Sequence, residues 1–161
     1  MHWSKCIAEH KQGGSVLCVD PWEPYPTALE QMNADLEAGT VFGRFKDNIV
    51  FAEPKAPISY FVGSLGYFIS PELFDVVFID GDHTHEAVLE DLRLGATYLR
   101  DGGILCGDDL DKGYPGVVSA VSEFFGDVRL TNPSRRLRMA KMAFRLQTSP
   151  KNSLTADTTP G

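Results

Sequence analysis

Basic charge is scarce in this chain. Fifteen lysines and arginines stand against 22 aspartates and glutamates, a formal net charge of −7. Binding nucleic acid through phosphate neutralisation needs a basic face. The one basic cluster, Arg135, Arg136, Arg138 and Lys141, is short and reads as a solvated loop. Long apolar runs are missing too. No stretch of roughly 18 apolar residues occurs, which argues against a helical membrane span, and Met1 to Lys5 lacks the apolar core of a secretory leader. Cysteine is limited to Cys6, Cys18 and Cys106, with no CxxC pair. Cys18 and Cys106 lie in strand-like runs and read as buried thiols, which fits a reducing, cytoplasmic compartment. What remains is an ordinary soluble balance, 43% apolar and 23% charged over 161 residues, for which one domain is the default.

The informative stretch is Phe74-Asp75-Val76-Val77-Phe78-Ile79-Asp80-Gly81-Asp82-His83. A short apolar run rich in β-branched and aromatic residues reads as a buried strand of a parallel sheet. Its polar end falls where open α/β sheets bind ligands. A second run, Gly102 to Cys106, ends in the same way, at Asp108 and Asp109. Between them, Val88, Leu92, Ala96 and Leu99 keep helical spacing over about Glu86 to Arg100. Strand, helix, strand makes a right-handed βαβ unit, so Asp80, Asp82, Asp108 and Asp109 reach one rim with His83 beside them. Two bare carboxylates about 5 Å apart repel by roughly 3 kcal/mol at an effective dielectric near 20. The cluster therefore calls for a bound cation, raised pKa values, or separation by caps and solvent. As a capping arrangement, Asp82 or Thr84 would start the helix and Asp109 a turn.

Elsewhere, Trp3, Cys6, Ile7 and His10 share a helix face that Gly13-Gly14 ends. Ser15 to Val19 is a strand ending in Asp20, stopped by Pro21. An acid there is either a ribose partner or a turn residue. Pro26 to about Ala38 reads as a helix, Phe42 to Ile49 as a helix end or loop, and Val50 to Pro57 as a loop or edge segment. Ile58 to Val62 is a strand closed by Gly63-Ser64, and Leu65 to Ile69 a short helix or turn. Asp111 to Gly116 forms a polar loop over the acidic rim, a candidate lid. Val117 to Phe125 is a helix, and Val128–Leu130 and Met142–Leu146 are two final strands. Ser149 to Gly161 has little to bury and is expected to be a disordered tail, leaving one α/β domain over residues 1–148.

The run FDVVFIDGDHTHEAVLEDLRLGATYLRDGGILCGDDL, with YPGVVSAVSEFF after it and VLCVDPW before it, resembles the class I S-adenosylmethionine-dependent methyltransferases. It is most similar to the branch that includes macrocin and related natural-product O-methyltransferases. The resemblance covers roughly Trp3 to Leu146. It implies a Rossmann-like α/β fold, a mostly parallel sheet flanked by helices, and methyl transfer to a hydroxyl of a small molecule. By this resemblance Asp20, with Trp22 next to it, Ser64 and Asp80 bind the cofactor. Asp80, Asp108 and Asp109 bind magnesium or manganese, and Asp82 or His83 is the general base. A hard divalent cation would hold the acceptor oxygens and lower the hydroxyl pKa.

Two departures stand out. The family usually places a strand and a glycine-rich turn, E-x-G-x-x-x-G, before the first helix, whereas this chain begins in that helix, so an N-terminally truncated form of the fold is expected. The family also often carries an aromatic where this chain has His85, expected here as an exposed first-turn residue. Two other functions stay open on the residues alone: a divalent-metal hydrolase using the same carboxylates with His83, and a non-catalytic binding module. A homo-oligomer is compatible with either reading.

Overall fold

The computed structural model describes residues 2–10, 13–126 and 142–145. Helices and strands alternate: α1 (His2–His10), β1 (Val16–Asp20), α2 (Glu30–Glu37), α3 (Thr40–Ala52), β2 (Ile58–Val62), β3 (Phe74–Ile79), α4 (His85–Thr97), β4 (Leu99–Gly107), α5 (Pro115–Phe125) and β5 (Met142–Arg145). A single 3₁₀ turn, Leu65–Tyr67, precedes β3. Val128–Leu130 and the expected tail 149–161 lie outside the described residues. Among the described residues, no helix is long and apolar enough to cross a membrane.

The main core lies on one face of β3 and β4. These strands are parallel and adjacent, as their apolar runs imply, and β5 adds antiparallel to β4. Residues alternate sides along β3. Val77 and Ile79 pack into the core with Leu105 of β4, Leu92 of α4 and Ala120 and Val121 of α5, each of these four at most 1% exposed. Gly95 lets α4 press onto the sheet: a β-carbon there would lie 3.1 Å from Val77 Cγ1 and 3.4 Å from Leu105 Cδ1. The opposite face is thinly covered. Val76 and Phe78 each remain 38% exposed, and α1 reaches that face through Trp3, whose ring is 6.2 Å from that of Phe78.

The sheet is in two pieces. β1 pairs in parallel with β2 alone, and β3 belongs to the β3-β4-β5 sheet. Among the described residues, no strand joins β1 to β3. Side chains and loops link the two halves instead. Ser4, 1% exposed, donates its hydroxyl to the Ala56 carbonyl and accepts the Ala56 N–H, at 2.9 and 2.8 Å. A polar residue thus anchors α1 beside the expected apolar face.

Three boundaries differ from the sequence reading. α4 ends at Thr97 rather than near Arg100, because Leu99 pairs with Phe74 and opens β4. Gly102, at φ 75°, lies in the irregular stretch before regular pairing resumes at Val76–Ile104. α2 starts only at Glu30, after a proline-containing turn. Phe42 to Ile49, expected as a helix end or loop, and the start of Val50 to Pro57, expected as a loop or edge segment, lie instead in the 13-residue helix α3. Its β-branched and aromatic residues blur the helical signal, and tertiary packing supplies what propensity lacks: Phe42 and Phe45 pack on Trp22 and Tyr60 with ring centres 4.6–5.7 Å apart.

Candidate active site

Parallel strands end together, so β3 and β4 deliver their carboxylates to one rim. The Asp108 N–H donates to the Ile79 carbonyl at 3.2 Å, tying the two strand ends. The Asp109 N–H donates to Asp108 Oδ1 at 3.0 Å. Asp109 holds a left-handed φ of 59°, a conformation that Asp tolerates better than most side chains. This turn aims Asp109 at His83, and Asp109 Oδ2 lies 2.9 Å from His83 Nε2.

Asp80, His83 and Asp109 each offer one ligand atom, and these atoms lie within 4.8 Å of one another. The set differs by one member from the one the resemblance implies. Asp108 is near enough to act on Asp80 electrostatically, but its oxygens fall outside the converging group. Burial, then Asp108 and Asp109, push the Asp80 carboxyl above its ordinary value, partly offset by His83. Such a carboxylate gains from a positive charge. The two carboxylates suit a hard divalent ion such as magnesium or manganese, and the imidazole widens the choice toward later transition metals.

Asp82 points elsewhere. Its Oδ1 accepts from the Thr27 hydroxyl at 2.5 Å and its Oδ2 from the Thr84 hydroxyl at 3.2 Å. Thr84 is the first boundary residue of α4, but its hydroxyl serves Asp82 and makes no capping bond. At β1, Asp20 Oδ1 accepts the Trp22 N–H at 2.6 Å, and Trp22 has φ 50°. Burial raises the Asp20 carboxyl, and the Trp22 N–H partly offsets this. A carboxylate fixed at the end of a parallel strand suits a ribose diol. Ser64 stands after β2, exposed, at the start of the 3₁₀ turn.

Several residues here carry no motif of their own. Tyr114 stacks near His83, 4.5 Å between ring centres, placed by the turn in which Tyr114 N–H donates to the Asp111 carbonyl. His85 is not a bare surface residue. Its Nδ1 is 2.7 Å from Ser119 Oγ and its Nε2 3.2 Å from Glu123 Oε2, so it clasps α4 to α5. Arg93 holds the other oxygen of Glu123 at 3.2 Å. The YPG signal marks the tight approach of α5: a β-carbon at Gly116 would lie 2.2 Å from the His83 carbonyl oxygen and 2.9 Å from the His85 nitrogen. Gly116→Ala is therefore expected to destabilise the protein by about 1–3 kcal/mol and to shift the His83 imidazole resonances as the loop is displaced. Unchanged urea midpoints and His83 shifts would refute the close fit.

Asp91 lies in α4 behind the loop, its Oδ2 3.2 Å from where a Gly81 β-carbon would sit. Burial, with Glu90 and Asp82, pushes its carboxyl up to about 6 from an ordinary 3.8. The folded state then keeps a proton that the unfolded chain releases, so this group makes stability fall as pH rises from about 4 to about 6. The shift corresponds to about 3 kcal/mol, reduced to about 1–2 kcal/mol by solvent screening at a partly exposed carboxyl. Asp91→Asn is expected to gain that much over the parent at pH 8 and nothing near pH 4. Urea titrations at both pH values check it, and an equal difference at the two would exclude the effect.

At the rim, a cavity of about 20 Å³ lies between residues 79–83 and 106–109, over Val117 and Val121. The chain matches a methyltransferase-domain family over residues 1–110. It is 34% identical over 61 residues to the uncharacterized protein R132 of Acanthamoeba polyphaga mimivirus, which is 37% of this chain and 28% of that one. Its fold is similar to that of CalS11, a TDP-rhamnose 3′-O-methyltransferase of calicheamicin biosynthesis, with a TM-score of 0.51 and 16% identity over 89% of this chain and 64% of CalS11. A candidate methyltransferase from Thermoplasma acidophilum gives a TM-score of 0.54 at 12% identity, over 92% of this chain and 64% of that protein. The chain thus spans under two thirds of the length of each of these proteins.

Proposed function

Because the chain belongs to the methyltransferase-domain family and has its Rossmann-like fold, we propose that it serves methyl transfer from S-adenosylmethionine to a hydroxyl of a small molecule, assisted by a divalent cation. The observation that carries the finer reading is the convergence of Asp80, His83 and Asp109 at the ends of β3 and β4. In this reading Asp80, His83 and Asp109 hold the cation, with Asp108 behind them. When bound, the cation supplies Lewis-acid polarisation of the acceptor oxygen.

The other roles fall to the chain's own groups. Asp20 accepts from the ribose hydroxyls, with Trp22 fixing its orientation. Asp82, outside the converging ligand set, takes the proton from the acceptor hydroxyl. His83 belongs to the ligand set in this reading and Asp82 does not, which makes Asp82 the better candidate for the base once the Thr27 hydroxyl on its Oδ1 is displaced. Tyr114 forms a wall on the acceptor side, and Ser64 lies on the side of the cofactor base. The chemistry needs the acceptor oxygen in line with the sulfonium methyl.

Calorimetry with S-adenosylhomocysteine, with and without manganese, tests the reading. Binding of the nucleoside, strengthened or joined by stoichiometric metal, is the expected result. Folded protein that binds neither ligand at millimolar concentration would rule it out.

A further inference from the structure

Residues 21–29 leave the end of β1 and reach over to the other half of the sheet. Pro21, Pro24 and Pro26 restrict the backbone of this segment. One end is fixed by Trp22, whose ring centre lies 4.6 Å from Phe42 and 5.0 Å from Phe45. The middle is fixed by Asn33: its Oδ1 accepts the Tyr25 N–H at 3.1 Å, and its Nδ2 donates to the Tyr25 carbonyl at 3.2 Å. At the tip, the Thr27 hydroxyl donates to Asp82 Oδ1 at 2.5 Å, joining residues 55 positions apart.

This strap lies among the groups read above as the cofactor and acceptor side. Burial, and then the charges of Asp82, Asp20 and Asp80, push the Tyr25 hydroxyl above its ordinary value. Thr27 also takes up an oxygen of Asp82 where an acceptor hydroxyl would have to donate.

We propose that residues 21–29 form a gate over the nucleoside site and that the Thr27–Asp82 hydrogen bond is its latch. The proposal rests on the reading of Asp20 and Asp80 as the cofactor side. The latch is exposed, so it biases the gate without locking it. A ligand that needs the open form binds more weakly by the fraction of molecules that are open.

The test uses the whole chain as the parent protein, Thr27→Val and Thr27→Ser. Hydrogen exchange of residues 21–29 is read without ligand, and S-adenosylhomocysteine affinity is read by calorimetry. In Thr27→Val the strap amides are expected to exchange roughly tenfold faster, with α4 and α5 unchanged. The nucleoside should bind this variant about 3–10-fold more tightly. Thr27→Ser keeps the hydroxyl and should match the parent in both readouts. Unchanged strap exchange in Thr27→Val overturns the latch. Faster exchange with equal or weaker nucleoside affinity overturns the gate and leaves the cofactor site standing. If none of the three proteins binds the nucleoside, the cofactor reading itself fails and takes the gate with it.

Discussion

Asp109→Asn is expected to weaken manganese binding by more than the roughly 10–100-fold that loss of an outer-shell partner costs. Asp109 contributes to the site twice. It offers one of the three converging ligand atoms, and it holds His83 at 2.9 Å while it does so. The amide would keep much of the shape and lose the charge that a divalent ion needs. Asp80→Asn should have a similar effect, because Asp80 is the member whose carboxyl is already raised, by burial first and then by its acidic neighbours. Asp108→Asn separates the two candidate ligand sets. A loss as large as that of Asp109→Asn would mean that Asp108 is a direct ligand, and a loss of about tenfold or less would mean that it acts through charge and through its bond to the Asp109 N–H. Calorimetry on each variant, with circular dichroism to confirm folding, makes the comparison. Equal metal affinity in all three variants and the parent would remove the metal site altogether.

The second large effect concerns the divided sheet. β1 and β3 each pair on one side only among the described residues, and the loops that follow them meet through Thr27 and Asp82. Unpaired strand edges invite association. Val76 and Phe78 are 38% exposed and Trp3 50% exposed beside them. Full burial of a large apolar side chain is worth roughly 1.5–3 kcal/mol, so covering these three partly exposed groups would add about 2–4 kcal/mol. Fusing an extended segment and a glycine-rich turn ahead of α1, so that a strand can lie between β1 and β3, is expected to raise the melting temperature by roughly 10 °C. The same fusion should abolish concentration-dependent association and tighten S-adenosylhomocysteine binding. Light scattering and thermal melts on both proteins decide this. A 161-residue chain that stays monomeric to high micromolar concentration, with a melting temperature that the fusion leaves unchanged, would show that the edges are not exposed in solution.

The βαβ unit from Phe74 to Gly107 was legible in the sequence because its physics is local. A core strand of a parallel sheet is largely apolar, a covering helix must repeat its apolar face, and the right-handed crossover brings both acidic ends to one rim; that β3 is covered on one face only was not legible, and Val76 and Phe78 stay 38% exposed. The same reasoning located Asp20, Asp80, Asp82, His83, Asp108 and Asp109 at strand ends. Tertiary structure decided what each of those groups touches. The left-handed Asp109 paired with His83, while Asp108 turned its oxygen to its neighbour's N–H. Thr27 reached Asp82 from 55 residues away, a contact no local pattern encodes. α3 formed because its aromatics had Trp22 and Tyr60 to pack on, and His85 was drawn into a clasp with Ser119 and Glu123 by the approach of α5 over Gly116. Backbone periodicity sets where a side chain starts. Only the packing of distant segments sets where its polar atoms end.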